Sequence, residues 1–351
     1  MSVPAFSDIS KSANDLLNKD FYHLSAGTIE VKSNTPNNVG FKVTGKSNHD
    51  KATSGALEGK YSDKSLGNST STSSSSTPRT LRKVSRRPPT SVSVLLGPIQ
   101  LLSLKNRHRL VFTVHVDQQY NSLLMVYRRA GLTLTQTWNT ANALDTKIEV
   151  ADSMAKGLKT EALFSFLPAA NNASNNTGCK FNVHFKQSAF HGRAFFDLIK
   201  GPTANIDAVI GHEGFLAGAS AGYNVQKAAV TGYSAAVGYV APQYSAAITA
   251  TDNLSVFAAS YYHKVNSQVE ASAKAVWNSK SGNAVGLEVA SKYRLDPVSF
   301  AKAKINDRGV AAVSYNVLLR PGVTAGIGAS FDTQKIDQAT HKVGTSFTFE
   351  S

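Results

Sequence analysis

The sequence predicts an all-β protein: a transmembrane barrel with an apolar outer face, a polar lumen and one amphipathic N-terminal helix inside it. Three observations lead there. In Leu144–Phe166, Leu144, Thr146, Ile148 and Val150 alternate with Asp145, Lys147 and Glu149. Beyond a turn at Asp152–Lys156, Leu158, Thr160, Ala162, Phe164 and Phe166 alternate with Lys159, Glu161, Leu163 and Ser165. This is the two-residue period of a strand, in runs of about 9–11 residues, enough for a tilted strand to cross a bilayer. The second observation is that the unit recurs to the end of the chain. The third is that the pattern offers no helices to cover the apolar faces, and an ordinary hydrophobic content of 42% with a mean hydropathy of −0.18 argues against a bundle of transmembrane helices. A closed sheet in lipid satisfies both faces.

Taken in order, Phe6–Tyr22 reads as a helix. Phe6, Ile9, Ala13, Leu16 and Leu17 share one face, with Lys11, Asp15 and Lys19 opposite. Ser7 or Asp8 is placed to cap it, and Lys11, Asp15 and Lys19 are spaced for i, i+4 pairs. It reads equally as a helix packed for stability or as a functional one; inside a wide barrel it lays its apolar face on the wall and turns its lysines to the lumen. Strands follow around Gly27–Lys32, Val39–Lys46 and Ala52–Tyr61, separated by the polar turns Asn37-Asn38 and Asn48-His49-Asp50.

Gly67–Ala130 breaks the pattern. A Ser/Thr tract, Ser69–Thr77, leads into Arg79–Pro89 and then two mixed apolar stretches. The segment holds Arg79, Arg82, Lys83, Arg86, Arg87, Lys105, Arg107, Arg109, Arg128 and Arg129 against one acid, Asp117, and so carries most of the net charge of +14. Its first part has the composition of disorder. A basic loop for anionic lipid or nucleic acid is one reading. The favoured one is translated intron sequence: joining Leu66 to Gly131 restores a continuous strand pattern, and Gly67-Asn68 and Ala130-Gly131 admit splice-site codons in one phase. Either way it has no core role, and no nucleic-acid partner is expected.

Strands then recur at short intervals, from Leu132–Trp138 and Leu144–Val150 to Val323–Phe331 and His341–Phe349. The longest uncharged run, Ala228–Thr251, contains Gly232, Gly238 and Pro242, and reads as two strands with a turn near the proline rather than as a spanning helix. Gly201-Pro202, Ser281-Gly282-Asn283, Asp307-Arg308-Gly309 and Pro321-Gly322 mark further turns. Three strands precede the basic segment and sixteen follow it, nineteen in all. The expected layout is 1–24 as a lumenal helix, 25–66 as strands one to three, 67–130 as the insertion and 131–351 as strands four to nineteen.

Composition excludes several classes. The single cysteine, Cys179, rules out an intrachain disulfide and makes a cysteine metal site implausible. Met1–Asp20 shows no cleavable signal and no acid-poor transit peptide. Ser, His and Asp lack nucleophile-elbow or metal spacing, so no enzyme, cofactor or metal is expected, and His184, His191 and His212 read as ordinary wall or rim residues.

The residues also carry a resemblance. Phe6-Ser7-Asp8-Ile9-Ser10 and Asn14-Asp15-Leu16-Leu17-Asn18-Lys19-Asp20-Phe21-Tyr22-His23 are similar to the N-terminal helix and exit of the fungal mitochondrial porins, the voltage-dependent anion channels. The long, specific pattern Tyr293-x-x-Asp296-Pro297-x-Ser299-x-x-x-Ala303-Lys304-Ile305-Asn306-Asp307, with Val310 and Ala312, resembles that family's C-terminal signature, and Arg320-Pro321-Gly322-Val323 fits the following turn. Lys342-Val343-Gly344-Thr345-Ser346-Phe347-Thr348-Phe349 looks like the insertion signal of mitochondrial outer-membrane barrels, carried by Lys342, Gly344, Phe347 and Phe349. The match covers nearly everything except Gly67–Ala130. It implies a 19-stranded barrel, whose odd strand number makes the first and last strands pair in parallel, and a place in the mitochondrial outer membrane.

The polar phase of the strands is basic in excess: Lys42, Lys46, Lys147, Lys159, Lys186, Lys274, Lys302 and Lys304, partly offset by Asp145, Glu149, Glu161, Asp197 and Glu270. A positive lumen enriches anions through its field. Expected cargo is chloride, phosphate, ATP, ADP and organic acids. The resemblance implies voltage gating, with Lys11, Asp15, Lys19, Lys46, Lys147, Lys274, Lys302 and Lys304 as candidate pore and voltage-sensing residues. It also implies ATP and NADH binding at Gly157-Leu158-Lys159, which reads as well as a plain strand start with a lumenal lysine. Implied partners are membrane lipids, the outer-membrane barrel assembly machinery and further copies of the chain. The rival readings are an outer-membrane protein-translocase barrel, a structural or lipid-handling paralogue with little channel activity, and a soluble lipid-binding protein.

Overall fold

The computed structural model describes residues 2–50, 52–62, 131–152, 155–167, 177–199, 201–282, 285–338 and 340–351. The strands are β1 Gly27–Asn34, β2 Val39–Ser47, β3 Thr53–Ser62, β4 Leu132–Asn139, β5 Leu144–Ala151, β6 Leu158–Phe166 and β7 Thr177–Lys186. Next come β8 Phe190–Asp197, β9 Thr203–His212, β10 Phe215–Asn224, β11 Ala229–Val240, β12 Tyr244–Thr251 and β13 Val256–Lys264. The last are β14 Val269–Asn278, β15 Val285–Asp296, β16 Ser299–Asn306, β17 Val310–Arg320, β18 Val323–Asp332 and β19 Lys342–Glu350. Together they make one 19-stranded sheet. Each strand pairs antiparallel with the next, and β1 closes on β19 in parallel register from Gly27↔Thr345 to Lys32↔Glu350. The sheet is a closed barrel with no free edge.

Alternation sets the two faces. Ile29, Val31, Phe41, Val43, Leu57, Trp138, Ile206, Ile210, Val237, Ile248, Val289, Val313, Ile327 and Phe347 stay exposed. They occupy one phase of their strands, and an apolar band of this extent belongs in hydrocarbon. No helix among the described residues is long and apolar enough to cross a membrane.

β3 and β4 pair directly, from Ala56↔Asn139 to Ser62↔Thr133. The wall therefore continues across the point where residues 67–130 join it. Those residues, and their reading as an insertion, lie outside the described part.

The buried core is not within the wall. It lies between the wall and the N-terminal segment. Val3 and Ile9 pack with Val209, Leu216, Ala236 and Ala247, while Leu16 and Leu17 pack with Ala290. The wall opposite the segment is built of small residues. A side chain at Gly211, Gly218 or Gly238 would meet Val3, Phe6 or Ile9, and one at Gly326, Gly328 or Gly344 would meet Tyr22. These glycines form the track in which the segment lies as it passes from β9 round to β19.

Two expectations change. The single helix expected over Phe6–Tyr22 is instead a 3-10 turn at Phe6–Asp8, α1 at Lys11–Asn18 and a second 3-10 turn at Tyr22–Leu24. A straight helix cannot follow a curved wall, and the breaks at Ser10 and at Asp20 (φ 61°) let the chain bend. The strand expected from Leu254 begins at Val256, because Asp252, Asn253 and Leu254 all take positive φ in a left-handed turn.

Candidate functional site

The inward phase of the wall carries the charges, and most of them meet across neighbouring strands. Glu149 of β5 stands opposite Glu161 of β6. Lys147 reaches them at 2.7 and 3.3 Å, and Lys159 at 2.9 and 2.7 Å. Asn182 donates to Glu161 at 3.4 Å. On β8 and β9, Arg193 grips Asp207 with two nitrogens, Nε at 3.0 Å and Nη2 at 2.8 Å, and lies over the Phe195 ring. At the parallel seam, Lys32 bridges Glu30 at 2.9 Å and Glu350 at 2.7 Å, and Lys42 adds a second contact to Glu30.

The N-terminal segment forms another part of the lumen lining. The Lys19 ammonium pairs with Asp15 at 2.8 Å, a contact that raises its pKa, while Lys11 leans toward Asp8 at 3.9 Å rather than toward Asp15. Lys274 Nζ donates to Asn14 Oδ1 at 3.1 Å, and Ser272 Oγ to the Ala13 carbonyl at 3.4 Å. Lys302 is 3% exposed beneath the end of α1, where it donates to the Lys19 carbonyl at 2.6 Å. Lys304 pairs with Glu288 at 2.9 Å and sits with Lys302 over the Phe21 ring. Asn316 donates to the Tyr22 hydroxyl, and His49 bonds the His23 carbonyl at 2.8 Å. Burial, then the charges of Lys304 and Lys342, lower the His23 pKa.

A closed barrel with a lining of this kind is a water-filled conduit with charged walls. The eukaryotic porin family model matches residues 2–95 and 99–344. The chain belongs to the eukaryotic porin family. Among curated relatives, the mitochondrial outer membrane protein porin of Neurospora crassa is 67% identical over 351 residues, with all of both chains covered. That of Candida albicans is 41% identical over 349 residues, covering 99% of each. The non-selective voltage-gated ion channel 1 of Saccharomyces cerevisiae is 31% identical over 353 residues, covering all of both. This porin is a pore-forming barrel of the mitochondrial outer membrane, of a family that includes voltage-gated ion channels, and not an enzyme.

The residues singled out in the sequence fall in different places in the porin. Lys11, Lys19 and Lys46 are exposed. Lys147, Lys159 and Lys304 lie in ion pairs, and Lys274 bonds a neutral partner. Lys302 does not face open water as its phase suggested, because α1 covers it. Gly157 takes φ +84° with the Lys186 carbonyl where a side chain would be, and its N–H donates to Asp152 Oδ1 at 2.7 Å. Leu158 opens β6 on the apolar phase and Lys159 joins the glutamate pair. The structure thus gives this tripeptide a turn, a wall residue and an ion pair. In β19, Phe347 and Phe349 are exposed on the apolar phase, Lys342 is on the inward phase, and Gly344 lies under Tyr22 and Ser25.

Sequence reasoning missed the Arg193–Asp207 pair, the seam cluster and the glycine track. Inward phase was legible for each of these residues. Which strand neighbours would meet depends on register, which the alternation alone does not set.

Proposed function

We propose that this porin is a voltage-gated, weakly anion-selective diffusion pore passing chloride, phosphate, ATP, ADP, NADH and organic acids. The observation that carries the reading is the uneven compensation of the inward charges. Among the described residues, Lys46, Lys186, Lys274 and Lys292 form no ion pair, and Glu58, Asp145, Glu270 and Asp332 offset them only in part. Lys11 and Lys19 add exposed ammonium groups on the segment. A wide lumen with a positive excess concentrates anions without a tight filter. Moving one such charge through the field is worth about 2.3 kcal/mol per 100 mV, so a few suffice for gating. Lys147, Lys159 and Lys304 act mainly by neutralising carboxylates. Gly157-Leu158-Lys159 contributes to nucleotide passage through the field of Lys159.

The remaining parts of the reading follow from the wall. Insertion by the outer-membrane assembly machinery uses β19, with Lys342, Gly344, Phe347 and Phe349 as its signal. Self-association would use the apolar exterior. The direct β3–β4 pairing supports a pore that does not need residues 67–130, whether they are a tolerated loop or translated intron.

Planar-bilayer recording on the full chain and on a form lacking Gly67–Ala130 tests this. Large steps that close at both polarities, with a reversal potential on the anion side that falls in Lys46→Glu/Lys274→Glu, are expected in the short form. A folded barrel with no steps in either form would replace the metabolite pore with a structural or lipid-handling barrel.

A further inference from the structure

Lys302 is the buried lysine among the described inward ones. Its neighbours in register on β15 and β17 are Lys292 and Ser314, neither of which offers it a counter-charge. Lys304, two residues on, keeps its wall partner Glu288. Among the described residues, Glu270 of β14 attracts Lys302 from a distance, but its hydrogen bonds, its ion pair and its ring contact all come from the N-terminal segment. Its ammonium donates to the carbonyls of Lys19 at 2.6 Å and Asp15 at 3.4 Å, lies 3.6 Å from the Asp20 carboxylate and sits over the Phe21 ring at 4.9 Å. Asp15 is in α1, where its carbonyl also accepts the Lys19 N–H at 3.0 Å, and Lys19 is the C-cap, so both carbonyls belong to the negative end of the helix.

We infer that Lys302 is the latch that holds the end of α1 on the wall: a positioning residue for the N-terminal segment, and not a charge that the passing ions feel. A buried ammonium without partners is strongly disfavoured. When the segment leaves, Lys302 loses its ion pair and its carbonyl acceptors together and must be met by lumen water. Docking and hydration of Lys302 are therefore alternatives. The docked state also conceals one positive wall charge that release uncovers, so movement of the segment changes the lumen field. The electrical part of this inference rests on the pore reading above; the docking part does not.

The test compares the full-length native chain with Lys302→Met, which keeps the length of the stem and removes the ammonium, and with Asp20→Asn at a partly exposed position. Hydrogen exchange of the Asp15–Phe21 amides in detergent-folded protein reads docking. About a tenfold or greater increase in Lys302→Met, with the β1–β19 amides unchanged, is expected, and a smaller rise in Asp20→Asn. In bilayers, the open-state reversal potential of Lys302→Met should match the native value, while its closing voltage shifts; Lys46→Met should move the reversal potential. Native exchange rates in Lys302→Met overturn the latch. A reversal potential that moves as far as it does in Lys46→Met also overturns it, since Lys302 would then be a charge of the lumen. If Lys302→Met does not fold, Asp20→Asn decides on the same exchange readout. Absent channels in all forms, with exchange altered as expected, would count against the pore reading and leave the latch standing.

Discussion

Glu149 and Glu161 face each other directly across β5 and β6, and the same two lysines, Lys147 and Lys159, hold both. Two like charges in adjacent strands repel unless cations intervene. Here the four groups close a neutral ring, and Glu161, 7% exposed, is its most buried member.

Lys159→Gln opens the ring and leaves it with a net negative charge. The expected effects are a shift of the reversal potential toward cations and a loss of stability of up to about 1 kcal/mol, small because the lysines are partly exposed to lumen water. The double variant Lys159→Gln/Glu149→Gln is neutral again and should recover the native reversal potential. Single-channel recording and thermal unfolding in micelles read the two effects.

Arg193 and Asp207 form a tighter unit, with side chains only 15% and 8% exposed. Asp207→Asn leaves a half-buried guanidinium without its counter-charge. A destabilisation of about 1–3 kcal/mol is expected. Urea unfolding of the micelle-folded barrel, followed by tryptophan fluorescence from Trp138 and Trp277, measures it. Arg193→Met/Asp207→Leu should lose less than Asp207→Asn alone, because it removes the charge and its partner together.

Gly328 lies where the Tyr22 backbone touches the wall: a Cβ there would be 2.8 Å from the Tyr22 nitrogen. Gly328→Ala therefore displaces the segment and spares the strand. Faster proteolytic cleavage between Lys19 and Ser25 is expected, with the strand spectrum of the barrel unchanged in far-ultraviolet circular dichroism.

His23 makes docking sensitive to pH. Burial and the charges of Lys304, Lys342 and His49 hold its pKa below the ordinary 6.5 in the docked state, and release restores the ordinary value. Protonation thus favours release. The docking contribution is complete above pH 6.5 and is lost as pH falls through the lowered value. A dye on Ser7→Cys, in a Cys179→Ser background, should hold its anisotropy above pH 6.5 and lose it as pH falls below that value, and His23→Asn should flatten that profile.

Much of this fold was readable in advance because a barrel wall is a local pattern. Alternation assigns each residue a face, and Gly201, Gly309 and Gly322, which mark turns in the sequence, do take positive φ. The boundaries of β6 coincide with the run from Leu158 to Phe166, and most others differ only at their ends. The helix was less readable. Phe6, Ile9, Ala13, Leu16 and Leu17 do face the wall, but the apolar pattern carries no sign of the bends at Ser10 and Asp20, which the curvature of the wall imposes.

The sequence by itself determined the strand count, the two faces and the excess of lysine on the inward phase, since each depends only on residue type and two-residue spacing, while the parallel closure was implied by the resemblance to the porins. Only the tertiary structure decided which of those lysines are free. Lys159, Lys302 and Lys46 occupy the same phase, yet one is shared by two glutamates, one is buried under α1 and one is exposed. The difference lies in strand register and in the path of the segment along its glycine track. Both are set by contacts between residues far apart in the chain, and electrostatic strength follows those distances rather than the order of residues.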